Sequence, residues 1–364
     1  MYMVTAGVVA LTSVMYGAVV RRMALKQVVI LTLILLGISS ALVPTLMNEF
    51  SGSLAVFAGV YLLAQVRGSL GTIQFATLFN EQFTHRPERF VGLVGAGATL
   101  AGIVVGLSIG FVSKMIEVEM LMYAAAIIDL MTIVPVILLP RQSERIFDDP
   151  EMEQQNVERP RLFDALRSSF VLGIAGVVLL SVLVATVVEY QWKVTAATEL
   201  LRDEELMAQY FGFFYGAVYL LTGILQFVVT GHVLQRRGVL VGLLVFPVAL
   251  MISMVTAVVF SIGRLPLWTM TMTKGCDMFR RSMHDPSIQV LYSPLDVGLR
   301  RQSITMVAGI VKPLAEAMAG VLLVVLSPWI AVFQFSWLVV ALVVAWLIID
   351  FSVFRGYIRL KSGD

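Results

Sequence analysis

Eleven stretches of about twenty apolar residues follow one another along this chain, and that repetition limits its fold more than any motif does. They run over about 2–20, 28–47, 53–79, 91–113, 119–139, 169–198, 207–233, 239–261, 265–283, 303–327 and 329–353. Roughly twenty apolar residues in a helix cross the hydrocarbon of a bilayer. No soluble fold hides so much apolar surface: of 364 residues 59% are hydrophobic and 14% charged, where a soluble domain carries about a quarter charged. Inside lipid the backbone must satisfy its own hydrogen bonds, so the expectation is an all-α integral membrane protein with eleven spans. A net charge of +2 gives no hold on a nucleic acid polymer.

The basic residues fix an orientation. Alternate loops on one side carry Arg21, Arg22 and Lys26, then Arg86 and Arg89, then Arg141, Arg145, Arg159, Arg161 and Arg167. The same side continues with Arg236 and Arg237, with Arg280, Arg281, Arg300 and Arg301, and with Arg355, Arg359 and Lys361. The other side holds Lys114, Arg202 and Arg264 beside the acidic run Asp203-Glu204-Glu205. The excess of Lys and Arg places the first set in the cytoplasm. Residues 1–20 read as a span without a basic start, not as a cleavable signal.

The longest polar stretch, 141–167, includes Asp148, Asp149, Glu151, Glu153 and Glu158 and reads as a solvated cytoplasmic linker. It divides the chain into an N-terminal bundle of five spans, 1–140, and a C-terminal bundle of six, 168–364. The two resemble each other. Gly17-Ala-Val-Val-Arg21-Arg22 returns as Gly231-His-Val-Leu-Gln-Arg236-Arg237, Arg67-Gly68-Ser69 as Lys274-Gly275-Cys276, and His85-Arg86-Pro87 as His284-Asp285-Pro286. The shared order at a near-constant lag marks an internal repeat. The span at 169–198 has no counterpart in the first half, so the repeat expects one further helix ahead of residue 2, missing from the native protein or from this sequence. With it the plan is six plus six, the major-facilitator arrangement of parallel halves. Gly followed by paired basic residues at a cytoplasmic turn is where that arrangement puts its interlocking loop, which assigns Gly17, Arg21, Arg22, Gly231, Arg236 and Arg237 to gating.

A charge at the bilayer centre costs about 2.5–3.5 kcal/mol on insertion scales, so charges within spans mark partners, cavities or substrate. Glu189 and Lys193 share a helix face at i,i+4. They are either a substrate-holding pair or a self-neutralising pair near the outer interface, with Tyr190 and Trp192 as anchors. Lys312 and Glu316 repeat the spacing around Pro313, whose kink frees backbone groups as binding-site helices do. Arg67 sits mid-span with no acid within a turn, held by a neighbouring helix's carbonyls or aimed at substrate. Lys274 and Asp277 read as structural, and Asp129 as a lone acid without a nameable partner. The substrate-binding set is therefore Glu189, Lys193, Lys312, Glu316 and Arg67.

The remaining chemistry does not assemble into an enzyme. His85, His232 and His284 fall at cytoplasmic span ends without metal-ligand spacing. Gly95-Ala-Gly97 lies in an apolar span, where small residues serve helix packing. Cys276 is the only cysteine and reads as buried. No metal, cofactor or catalytic residue is expected.

The element Glu189-Tyr-Gln-Trp-Lys193, followed by Asp203-Glu-Glu205 and Tyr210-Phe-Gly-Phe-Phe-Tyr-Gly216, resembles the ATP/ADP translocase family of bacterial and plastid nucleotide transporters. Glu88-Arg-Phe90, Leu93-Val-Gly95-Ala-Gly97-Ala-Thr99, Tyr292-Ser-Pro-Leu295 and Val311-Lys-Pro-Leu314 extend the resemblance along most of the chain. It implies an antiporter in a bacterial inner membrane, with linker and C-terminus cytoplasmic, exchanging a small anionic solute such as a nucleotide. Where that family has Pro-Leu-Gly-Lys, this chain has Pro313-Leu-Ala-Glu316, an acid in place of a phosphate-facing lysine. Two functions stay open: a secondary transporter whose charges converge on one midplane cavity, and a transport-inactive subunit or scaffold of a larger membrane complex, with charges paired internally and the cavity collapsed. A lipid-moving protein, open sideways between its halves, is a third.

Overall fold

The computed structural model describes residues 2–20, 22–50, 53–83, 87–112, 118–139, 162–202, 204–260 and 266–362. Among them there is no strand, and the helices form eleven rods. These are α1 Tyr2–Val20, α2 Leu25–Glu49, α3 Leu54–Gln82, α4 Pro87–Val112, α5 Val118–Leu138 and α6 Ser169–Glu199. They continue as α7 204–237, α8 Val239–Val259, α9 267–291, α10 Val297–Leu326 and α11 Phe335–Ser362. Among the described residues seven helices are long and apolar enough to cross a membrane, and the apolar parts of α1 and α5 are shorter. Three rods carry a π-helical turn: Leu225–Thr230 in α7, Arg280–His284 in α9 and Val307–Val311 in α10.

Each rod shows lipid and protein different faces. On α2, Leu31, Leu35, Ile38 and Leu42 are exposed, while Val28, Val29, Leu33 and Leu36 are buried. On α8, Val248, Ile252, Val255 and Val259 face out, and Leu243, Phe246, Leu250 and Met254 are buried. In water such stripes would be a liability; in hydrocarbon they cost nothing.

The structure changes several expected boundaries. The rod expected over 265–283 runs on to residue 291, and the one expected over 303–327 starts at Val297. Arg280, Arg281, Arg300 and Arg301 are therefore helical, not loop residues. Arg300 tolerates this because its Nε and Nη2 donate to Leu295 O at 3.2 and 2.9 Å, and its Nη1 to Asn80 O at 2.8 Å. His284, expected at a span end, is fully buried inside α9. Trp192, expected as an interfacial anchor, is also fully buried, ringed by Tyr210, Phe211, Phe214 and Tyr215, and its Nε1 donates to Tyr210 Oη at 2.9 Å. The linker lies largely outside the described residues, as do Arg21, His85, Arg86, Lys114, Asp203 and Arg264. Its last residues, Leu162–Arg167, form a 3-10 helix with Ala165 buried, so that end is packed rather than solvated.

Lipid gives no hydrophobic drive to helix association, so close approach and polar contacts hold the rods together. Between the halves, α1 lies against α10 and α4 against α7. A Cβ at Gly309 of α10 would sit 2.2 Å from Ser13 Oγ of α1. A Cβ at Gly92 of α4 would sit 2.9 Å from Gln226 O and 3.0 Å from Gly231 N, both backbone atoms of α7. Within the first half, Arg67 Nη2 of α3 reaches Asp129 Oδ1 of α5 at 2.6 Å and donates to Ala125 O at 3.0 Å. Lys26 at the start of α2 donates to Leu139 O beyond the end of α5, closing that helix's carbonyls.

Two outcomes follow. Gly92→Leu, which must push backbone away, is expected to cost about 1–3 kcal/mol by overpacking; a melting temperature of the detergent-purified protein equal to wild type would contradict the contact. Asp129→Asn strands the Arg67 guanidinium and is expected to cost about 3 kcal/mol, at the lower end for breaking a buried pair. Replacing both, Arg67→Met with Asp129→Leu, is expected to recover most of that loss, and the same melting experiment reads it.

Candidate functional site

Three helices close against one another at one level and part at another. At the level of the basic turns, Glu81 of α3 pairs with Arg301 of α10. Asn80 accepts from Arg300 through its carbonyl, and its Nδ2 donates to Gln289 Oε1 at 3.3 Å. Gln302 Nε2 donates to Gly17 O of α1 at 3.3 Å. One step further along, Gly309 seats on Ser13, with Ile73 of α3 beside it. Beyond that the helices separate around a cavity of about 400 Å³. Val9 of α1, Tyr61, Gln65, Gly68, Ser69 and Thr72 of α3, and Ala308, Lys312, Pro313, Glu316 and Ala317 of α10 line it.

The order is the same on every helix. From Gly17 to Val9, from Glu81 to Tyr61 and from Arg301 to Glu316, contact gives way to open space. At about 1.5 Å per residue, Arg301 and Glu316 lie roughly 22 Å apart along α10. Lys312 falls at the middle of that thirty-residue helix. Pro313 has no N–H to give the carbonyl four residues back, and the π turn Val307–Val311 lies directly before it. The tight Gly309 contact falls within this loosened turn, and the charged lining begins directly after it.

Lys312 and Glu316 are exposed to this cavity, and neither forms an ion pair among the described residues, not even with the other. Lysine ahead of glutamate is the poorer order for pairing along a helix. Ser69 Oγ, on the facing wall, is buried without a hydrogen-bond partner.

The other expected binding residues lie elsewhere or are engaged. Glu189 Oε1 meets Lys193 Nζ at 2.6 Å, and Glu189 Oε2 meets Lys274 Nζ of α9 at 3.5 Å. Lys274 is itself paired with Asp277 at 2.6 Å, and Asp277 with Arg280 at 3.8 Å. Opposite charges thus alternate from α6 onto α9. Arg67 and Asp129, read separately in the sequence, are partners, and neither lines the cavity. Of the expected gating residues, Gly17 and Gly231 lie at contacts between the halves, the latter close to Arg89 O. Arg22, Arg236 and Arg237 are exposed at helix ends, and Arg21 lies outside the described residues.

Sequence reasoning missed two features. The Glu81–Arg301 and Asn80–Arg300 contacts were signalled by polar residues directly at the ends of apolar runs. The second feature is Asp350 of α11, fully buried, with both carboxylate oxygens unpartnered among the described residues. His284 is also fully buried, its Nδ1 3.5 Å from Asp285 Oδ1, and Trp346 stacks edge-on against it at 5.0 Å between ring centroids. Ile127-Ile128-Asp129 and Ile348-Ile349-Asp350 are another copy of the internal repeat. Among the described residues no cluster of His, Cys, Asp and Glu has metal-site geometry.

Known structures share this arrangement. A human organic anion transporter, MFSD10 (TETRAN), superposes with a TM-score of 0.67 at 13% identity, over 97% of this chain and 82% of that one. A bacterial homologue of the iron transporter ferroportin, in an outward-facing state, gives 0.68 at 15% identity, over 99% and 89%. The proton:xylose symporter XylE gives 0.64 at 12%, over 98% and 84%. These likenesses are of fold. No curated protein matches the chain. Residues 1–293 match the family described as Major Facilitator Superfamily, and the chain belongs to that superfamily.

Proposed function

We propose that this protein is a secondary transporter that moves a small organic solute bearing an anionic group by alternating access. The carrying observation is the cavity between the halves, closed at one end by Glu81–Arg301, with Lys312 at mid-helix and in no ion pair. A charge kept in a membrane protein without a partner is retained for something that enters. Residues 1–140 and 168–364 would rock as bodies about the α1–α10 and α4–α7 seams, with 141–167 joining them. The excess of basic residues supports a cytoplasmic closed end, and so an outward-open state; a bacterial inner membrane is what the resemblance to ATP/ADP translocases supports.

The resemblance to ATP/ADP translocases supports an organic anion, nucleotides among them, as does the human neighbour that transports organic anions. Glu189 and Lys193 would serve at the outer approach to the site, because they stay partly exposed while paired. A transport-inactive subunit of a larger membrane complex is the second reading. The internal pairing of Arg67 with Asp129 and of Glu189 with Lys193 and Lys274 favours it; the open, charged cavity counts against it.

Purified full-length protein, screened for thermal stabilisation with carboxylates, organic phosphates, nucleotides and zwitterions, is expected to respond to a charged solute. A ligand at about 100 times its Kd adds about 2.7 kcal/mol, and Lys312→Ala is expected to abolish the response. Silence across the panel in a folded sample would move the reading to the inactive subunit. The closed end has its own test. In a Cys276→Ala background, a cysteine at the buried Thr305 is expected to label slowly with a maleimide added from the basic side. Glu81→Gln is expected to speed labelling by about tenfold for each 1.4 kcal/mol of closure lost; an unchanged rate would mean that the pair does not hold the gate.

A further inference from the structure

We infer that the solute is a zwitterion, an ammonium and a carboxylate or phosphate on one small molecule, with Lys312 holding the anionic end and Glu316 the cationic end. This deepens the transport reading and rests on it. The cavity lining contains one cation and one anion among its residues and no other charge: Val9, Tyr61, Gln65, Ser69 and Thr72 on the opposing wall are neutral. A simple anion drawn to Lys312 meets Glu316 one turn away, about 6 Å along the axis. A simple cation drawn to Glu316 meets Lys312. A solute with both charges a few bonds apart neutralises each without leaving either exposed in a low-dielectric site.

The obvious objection is that the two residues neutralise each other. They stand at pairing distance along one helix and yet form no ion pair, with each other or with any other described residue. Their two charges sum to zero, so the cavity lining has no surplus of positive charge to offset a nucleotide's several phosphate charges. The neutral wall supplies hydrogen bonds rather than charge. Ser69 Oγ is buried without a partner, and Thr72 Oγ1 already donates to Gly68 O at 2.8 Å, leaving its lone pairs to accept from an ammonium.

The test is binding of matched ligands, read as thermal stabilisation of the purified full chain in nanodiscs. The probes are glycine, β-alanine, γ-aminobutyrate, phenylalanine and phosphocholine. Each is set beside its counterparts with one charge removed, for example 3-phenylpropionate and phenethylamine for phenylalanine, or choline and inorganic phosphate for phosphocholine. At least one zwitterion is expected to bind wild type about tenfold or more tightly than either single-charge counterpart, the loss expected when a charge-assisted contact goes. Glu316→Gln is expected to abolish the ammonium requirement, so that the carboxylate or phosphate counterpart binds as well as the zwitterion. Lys312→Gln is expected to do the same for the amine. A gain of binding by a variant cannot come from misfolding, so the reciprocal pattern separates a ligand site from a structural role. If a singly charged anion binds wild type as tightly as its zwitterion, the zwitterion assignment is wrong and the transport reading stands. If no probe binds in a protein that melts cooperatively, both fall.

Discussion

A charge in hydrocarbon has to be answered from within the protein, and most of this structure can be read as the set of answers. Arg67 on α3 is answered by Asp129 and the Ala125 carbonyl on α5, which ties together two helices that lipid would not drive together. Glu189, Lys193, Lys274, Asp277 and Arg280 answer one another in alternation from α6 to α9. Arg300 and Arg301 are answered across the two halves, by Asn80 and Glu81. The last case differs in consequence. Pairing within a half stabilises a bundle in any state, whereas pairing between halves stabilises only the state in which they touch.

Steric fit sets where that touching stops. Gly309 and Gly92 let α10 and α4 come to within backbone distance of their neighbours, and each is flanked by a π turn, its own or its partner's. Close approach and a loosened helix coincide there, with tight contact on one side and space on the other. Pro313 adds to this by freeing a carbonyl of α10 just where the lining begins. The cavity is thus not a packing fault. It is what remains when two bundles are held together at one end.

The membrane class, the number of helices and the two-half plan were legible in the sequence, because twenty-residue apolar runs and a repeated order of motifs survive without any tertiary knowledge. The partners of the charges were not. Arg67 and Asp129 are separated by 62 residues and stand on helices that pair only after the bundle forms. Trp192 and His284 were misplaced for a related reason: an aromatic or a histidine near a span's end reads as interfacial by sequence, while here neighbouring helices extend past it and bury it. Arg280, Arg281, Arg300 and Arg301 were read as loop residues on hydropathy. Hydropathy treats arginine as a break, yet the buried Arg300 stays helical because the carbonyls of Leu295 and Asn80 accept its donors.

The two halves also differ at matching places of the repeat. Arg67 and Lys274 hold matching places on α3 and α9, and Asp129 and Asp350 carry matching Ile-Ile-Asp segments on α5 and α11. In the first half the basic residue and the acid meet, and the bundle is clamped. In the second half Lys274 has turned to Asp277 and Glu189, and Asp350 is left buried between helices without a cation. The C-terminal half thus lines the cavity with the charges of Lys312 and Glu316 on α10, while the N-terminal half fronts it with neutral hydrogen-bonding groups. A symmetric pair of clamped bundles would close on each other with no preference for a charged solute. With Arg67 and Asp129 clamped on each other, Lys312 and Glu316 of α10 are the charges that line the cavity, which is chemically polar on that single side.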